Sequence, residues 1–72
     1  MIDHTRFQVE AQANGFWRVR DVVTGKVYAH NTMYGVCLVV VDDLNGIRSG
    51  FGECGKIAEA IRRDITKEGG TV

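Results

Sequence analysis

Net charge is the first thing this sequence lacks: nine Lys and Arg stand against nine Asp and Glu, for a formal charge of zero. Non-specific attraction to nucleic acid or to an anionic membrane draws on a cationic excess. That source is missing chain-wide, which leaves only a local basic patch. Long apolar runs are missing as well. The longest, Gly35 to Val41, falls far short of the ~20 residues that span a bilayer, so no membrane partner is expected. Two cysteines, Cys37 and Cys54, are too few for a disulfide scaffold, and both are expected as reduced, mostly buried thiols. The opening MIDHTRFQ lacks the charged-then-apolar order of a signal peptide. A cytoplasmic protein is the expectation.

What is present suits one small globular domain spanning residues 1–72, with 1–5 and 69–72 expected to fray. Apolar residues make up 44% of the chain, too many for a disordered segment, although the length is near the lower limit for a single core. Arg6 to Ala13 alternates, with Phe7, Val9 and Ala11 against Gln8, Glu10 and Gln12, the pattern of a strand with one wet face. Phe16 to Arg20 alternates again. Between them, a two-residue Asn14-Gly15 loop would set Val9 opposite Arg20. A three-residue loop, Ala13-Asn14-Gly15, pairs Gln12 with Phe16, Val9 with Val19 and Glu10 with Arg18. The second register segregates apolar from polar side chains and is the one expected. Asp21 to Lys26 reads as a second hairpin turn, pairing Val19 with Tyr28 and Trp17 with His30. The meander so built has Phe7, Val9, Ala11, Trp17, Val19, Tyr28 and His30 inside. Gln8, Glu10, Gln12, Phe16, Arg18, Arg20, Val27 and Ala29 lie outside.

The segment NTMYGVCLVVVDDLNG admits two readings. Val39-Val40-Val41 has strand propensity, but a strand would need cover on both faces. As a helix, Met33, Val36, Cys37, Val40, Val41 and Leu44 form one apolar stripe, with Asn31 or Thr32 capping its start and Asn45-Gly46 its end. Helix is favoured, although Asp42 and Asp43 sit at the wrong end of the dipole, at about 0.3–1 kcal/mol each. Leu38 and Val39 then fall off the stripe, which predicts a second contact such as a homodimer interface. Phe51, Cys54, Ile57, Ala58, Ile61 and Ile65 repeat at three and four, an amphipathic helix ending at Gly69-Gly70. The expected fold class is α+β, a three-stranded antiparallel β-meander packed against two C-terminal helices.

Candidate chemistry is sparse. Gly50, Gly52 and Gly55 have the spacing of a dinucleotide turn, and Gly50, Gly55 and Lys56 that of a P-loop. The first needs a strand before it and an acidic residue beside a second strand after it; here one helix follows. The second needs Ser or Thr after the lysine, and Ile57 stands there, with Glu53 placed against any phosphate. Close backbone approach explains these glycines better. Asp42-Asp43 with Asn45-Gly46 lacks the ligand spacing of a calcium loop and reads as a solvated helix end. His4, His30, Cys37 and Cys54 include no close pair of metal-ligand spacing, and no base is placed beside Cys54. The sequence predicts no catalytic residues, no metal and no cofactor. It leaves one surface, the outer sheet face, where Phe16, Arg18, Arg20 and Glu10 are candidate partner-binding residues. An aromatic among arginines suits a protein partner, and it also suits stacking and clamping of single-stranded nucleic acid.

The order of turns and glycines resembles a small family. Asn14-Gly15, Val22-Val23-Thr24-Gly25-Lys26, Leu44 and Gly46, Ser49-Gly50, Gly55-Lys56-Ile57 and Ala60 are laid out like those of the type I-F anti-CRISPR inhibitors, an antiparallel sheet backed by two helices. The resemblance covers most of residues 7–67. In that family a tyrosine precedes the first turn and an acid the second, where Gln12 and Arg20 stand here. The resemblance implies a non-catalytic phage protein that binds the backbone subunits of a CRISPR surveillance complex and sterically blocks target DNA.

Overall fold

In the computed structural model, which describes residues 4–72, three strands precede two helices: β1 (Phe7–Ala11), β2 (Trp17–Asp21), β3 (Val27–Thr32), α1 (Tyr34–Leu44) and α2 (Gly52–Lys67). The sheet is an antiparallel meander in the order β1-β2-β3. Both helices lie on one side of it, so the fold is the expected α+β arrangement. The Cα radius of gyration, 11.2 Å, matches the ~11 Å of one compact domain of this length. Of the ends expected to fray, residues 1–3 lie outside the described residues. Past α2, residues 69–72 have no regular structure, and Arg6 donates to the Thr71 carbonyl.

The β1–β2 register is the one that segregation of side chains demands. Val9 pairs with Val19, Glu10 with Arg18 and Ala11 with Trp17, and Gln12 N–H donates to the Phe16 carbonyl at 2.9 Å. The three-residue loop closes through Gly15 at φ +85°, a conformation that costs side-chain-bearing residues energy. β3 departs from expectation halfway along. Val19 pairs with Tyr28 as foreseen, but Trp17 pairs with Thr32 in place of His30, with the register shifted between them. Ala29 and Asn31 both take left-handed conformations, at φ 54° and 59°. Three residues, Ala29 to Asn31, thus stand against Arg18 alone, so they bulge out of the ladder and leave the alternation, which resumes at Thr32. His30 is therefore exposed, not inside, and Ala29 packs against the core, not outside. Ala11, expected inside, lies exposed at the sheet edge.

The core joins Phe7 and Val19 from the sheet to Cys37, Val40, Val41 and Leu44 of α1 and Ala58, Ile61 and Ile65 of α2. Burying each of its larger members stabilises the fold by about 1.5–3 kcal/mol. Segment 34–44 is thus a helix, with the middle of the expected stripe inward. The ends of both stripes do not follow. Met33 and Phe51 become the N-cap residues of α1 and α2 and stand 70% and 82% exposed. Neither Asn31 nor Thr32 caps α1; the Thr32 hydroxyl donates to the Ala29 carbonyl at 2.7 Å within the bulge.

At the other end of α1, Asn45 and Gly46 close the helix as foreseen. Gly46 and Ile47 N–H groups donate to the Asp43 and Asp42 carbonyls, the paired bonds of a left-handed helix stop. Asp43 is no solvated end: its carboxylate accepts from Gly50 N–H at 2.8 Å and from Arg62 at 2.6 Å. Asp42 pairs with Arg48 at 3.0 Å. These partners offset the unfavourable dipole. Two glycines of the phosphate-like motif, Gly50 and Gly55, act as spacers, whereas Gly52 approaches nothing and serves the chain by its φ of 58°. A Cβ on Gly55 would lie 3.0 Å from the Gly50 carbonyl oxygen, and one on Gly50 would lie 2.9 Å from the Asp43 carboxylate.

Candidate interaction face on the open side of the sheet

Because both helices cover the inner face, alternation along β1 and β2 sends Glu10, Arg18 and Arg20 to the side on which no described element packs. Glu10 lies directly across from Arg18 and diagonal to Arg20, within reach of a long side chain. Its Oε1 accepts from Arg18 Nε at 2.8 Å and from Arg20 Nη2 at 2.9 Å. Further short bonds join Arg18 Nη2 to Oε1 and Arg20 Nε to Oε2. Arg20 Nη1 donates to the Gly25 carbonyl at 2.7 Å, which ties the group to the second turn. Hydrogen bonds from Arg20 and then Arg18 lower the Glu10 pKa to about 2, and the same carboxylate raises that of Arg20. Two guanidinium groups on one carboxylate leave the face one positive charge, with the side chains fixed before any partner arrives. All three remain partly exposed.

Phe16 stands at the rim of this face, 45% exposed. Its N–H donates to Asn14 Oδ1 at 3.1 Å. A cluster of amides braces the loop around it: Gln12 Nε2 and Asn14 Nδ2 both donate to Asn31 Oδ1, at 3.0 and 2.8 Å, and Asn31 N–H donates to Gln12 Oε1. The structure therefore brings Glu10, Arg18 and Arg20 into one network and sets Phe16 apart, positioned by Gln12, Asn14 and Asn31. Sequence reading misses those three because Asn31 reaches the loop only through the β3 bulge, which alternation along Val27–Thr32 does not announce.

It reads Asp21 as an acceptor of turn amides, which Val23 bears out, but misses Arg6 and Asn45 as supports of β1. Asp21, fully buried, receives both Arg6 Nε and Nη2, at 3.0 and 2.8 Å, and Val23 N–H at 3.0 Å. Burial pushes the Asp21 carboxyl up, but Arg6 and the turn amides outweigh it and hold the group below its ordinary value. Asn45, also buried, grips the peptide of Phe7: its Oδ1 accepts from Phe7 N–H at 2.8 Å and its Nδ2 donates to the Phe7 carbonyl at 2.9 Å.

The other polar groups are dispersed or engaged. Among the described residues no three His, Cys, Asp or Glu side chains converge as metal ligands. His4 Nδ1 is bonded to the Asn45 carbonyl at 2.7 Å, and burial pushes the Cys37 thiol up, away from thiolate. A cleft of about 230 Å³ is lined by Thr24, Lys26, Tyr28, Ile65, Glu68 and Gly70. Its charged members are spent on each other, Lys26 on Glu68, with the Tyr28 hydroxyl donating to Glu68 at 3.3 Å. No helix among the described residues is long and apolar enough to cross a membrane. Comparison with protein-family models, with curated proteins and with solved structures gives no match.

Proposed function

We propose that this protein is a non-catalytic binder that seats the open face of its sheet on a protein partner. The observation that supports this is the Glu10–Arg18–Arg20 network, an exposed charged group that is fixed in advance and flanked by an exposed Phe16. Pre-ordered side chains lose little freedom on binding, and aromatic and arginine side chains supply most interface anchors. With the guanidinium edges already on Glu10, the face has little charge left to neutralise phosphates. A protein surface is therefore favoured over single-stranded nucleic acid. The most concrete form of this reading comes from the family resemblance: a cytoplasmic inhibitor that covers a backbone subunit of a CRISPR surveillance complex and keeps target DNA out.

Titration of a purified type I-F surveillance complex with the tagged chain, read by calorimetry and by target-DNA binding, tests both levels. Phe16→Ala and Arg20→Ala are each expected to weaken capture by roughly tenfold or more, Phe16→Ala with a nearly constant melting temperature and Arg20→Ala with the native far-ultraviolet circular dichroism spectrum retained. Wild-type capture by both variants would discard the face. Failure of the wild type to bind the complex would discard that target, and a salt-sensitive gel shift of short single-stranded RNA would replace it with nucleic acid.

A further inference from the structure

Positive charge in this chain is taken up almost entirely by its own carboxylates, with one exception. Of the nine Lys and Arg residues, seven stand within salt-bridge reach of an Asp or Glu. Arg63 and Lys67 have no such partner among the described residues. Both are exposed and lie one turn apart on α2. With Glu59, Arg62 and Thr66 they line a groove of about 300 Å³. Lys67 belongs to the last turn of the helix, where a cation complements the dipole, but Arg63 serves no charged group of the fold. Arg62 reaches Asp43 through Nη2, and its side chain remains 35% exposed. Glu59 is the groove's one carboxylate, and among the described residues it too has no ion-pair partner. Asp64 lies on the other flank of the helix, toward Tyr28.

We infer that this groove docks an acidic helix of a protein partner. The geometry selects a helix. Glu59, Arg63 and Lys67 form one ridge of residues spaced by four, and Arg62 and Thr66 form the next. A groove between two such ridges takes the matching ridge of a second helix. The charges then select its sequence. A helix running roughly antiparallel to α2, with carboxylates four residues apart, sets one against Lys67 and the next against Arg63, where Arg62 also stands. A cation four residues further on meets Glu59. That order, acids before base, suits the partner's own dipole, and antiparallel packing sets opposite dipole ends side by side.

The same charges separate this occupant from nucleic acid. A phosphate backbone repeats one sign, and Glu59 would oppose it along the ridge, whereas a helix can answer each charge in turn. Length sets the strength. The ridge from Glu59 to Lys67 runs ~12 Å, and its charged ends stand in water, so docking is weak and falls with salt. The groove belongs to the helical side of the molecule, apart from the open face of the sheet, and the inference stands independently of the proposed function.

An NMR titration of the full chain, read at each backbone amide, tests it with capped alanine-based helical peptides of about 20 residues. One peptide carries Glu, Glu and Lys in a row at spacings of four. A second has the same composition with those charges spread round the helix. The first is expected to shift the amides of residues 59–67 saturably, with a Kd of about 0.1–1 mM at low salt, roughly tenfold tighter than the second. Salt at about 0.5 M should abolish the shifts. Arg63→Glu combined with Lys67→Glu should lose this peptide and gain one whose two Glu are replaced by Lys, with the native far-ultraviolet circular dichroism spectrum retained. No shift at residues 59–67 up to about 5 mM peptide would overturn the inference. So would an equal response to the two peptides, or saturation of the same amides by a short single-stranded RNA at lower concentration.

Discussion

At the scale of single residues, the polar side chains that hold this fold are few and each serves two peptide or charged groups. Asn45 is the clearest. Its amide satisfies both the N–H and the carbonyl of Phe7 in a buried position, and each group left unmet costs about 1–3 kcal/mol. Asn45→Ala is accordingly expected to lose about 2–4 kcal/mol in urea unfolding, and a loss below ~1 kcal/mol would contradict the clamp. The role is illegible in sequence, where Asn45 followed by Gly46 announces only the end of a helix. The same holds for Arg6 and Asp21, whose pairing joins the start of β1 to the second turn. By contrast Glu10, Arg18 and Arg20 were readable, because strict alternation fixes which face each occupies and pairing fixes who sits opposite whom.

At the scale of elements, the interior of each repeat was legible and its ends were not. Apolar spacing identified Cys37, Val40, Val41 and Leu44, and likewise Ala58, Ile61 and Ile65. Periodicity continued past the point where the chain turns away, so it wrongly included Met33 and Phe51. The β3 bulge lies beyond such reasoning altogether: Ala29 is an ordinary strand residue by pattern, yet it takes a positive φ, with its carbonyl bonded by the Thr32 hydroxyl. Glycines separate into kinds by what surrounds them. Gly50→Ala and Gly55→Ala each force a methyl group against backbone or carboxylate at 2.9–3.0 Å and are expected to destabilise by about 1–3 kcal/mol. Gly35→Ala meets open space and should stabilise the fold by up to ~1 kcal/mol. Thermal melts of the three variants check this ordering, and a stabilising Gly55→Ala would contradict it.

At the scale of the molecule, stability depends on acid in a direction set by two carboxylates. Glu10 titrates at about 2, below its ordinary 4.5, and Asp21 is also held below its usual value. A depressed native pKa stabilises the fold above the unfolded pKa and is lost as pH falls through the native one. The melting temperature should therefore hold above about pH 5 and decline from there toward pH 2. Glu10→Gln should flatten part of that decline, and a wild-type plateau down to pH 2 would contradict it. The Asn45 clamp also bears on how the molecule behaves in a crowd. β1 is an outer strand whose alternate peptides, at Phe7, Val9 and Ala11, point away from β2, and strands open in this way recruit one another into fibrils. By gripping Phe7 as a neighbouring strand would, Asn45 shortens the length of edge on which a foreign strand can be templated. The side chain that secures the core is thus also a guard against aggregation.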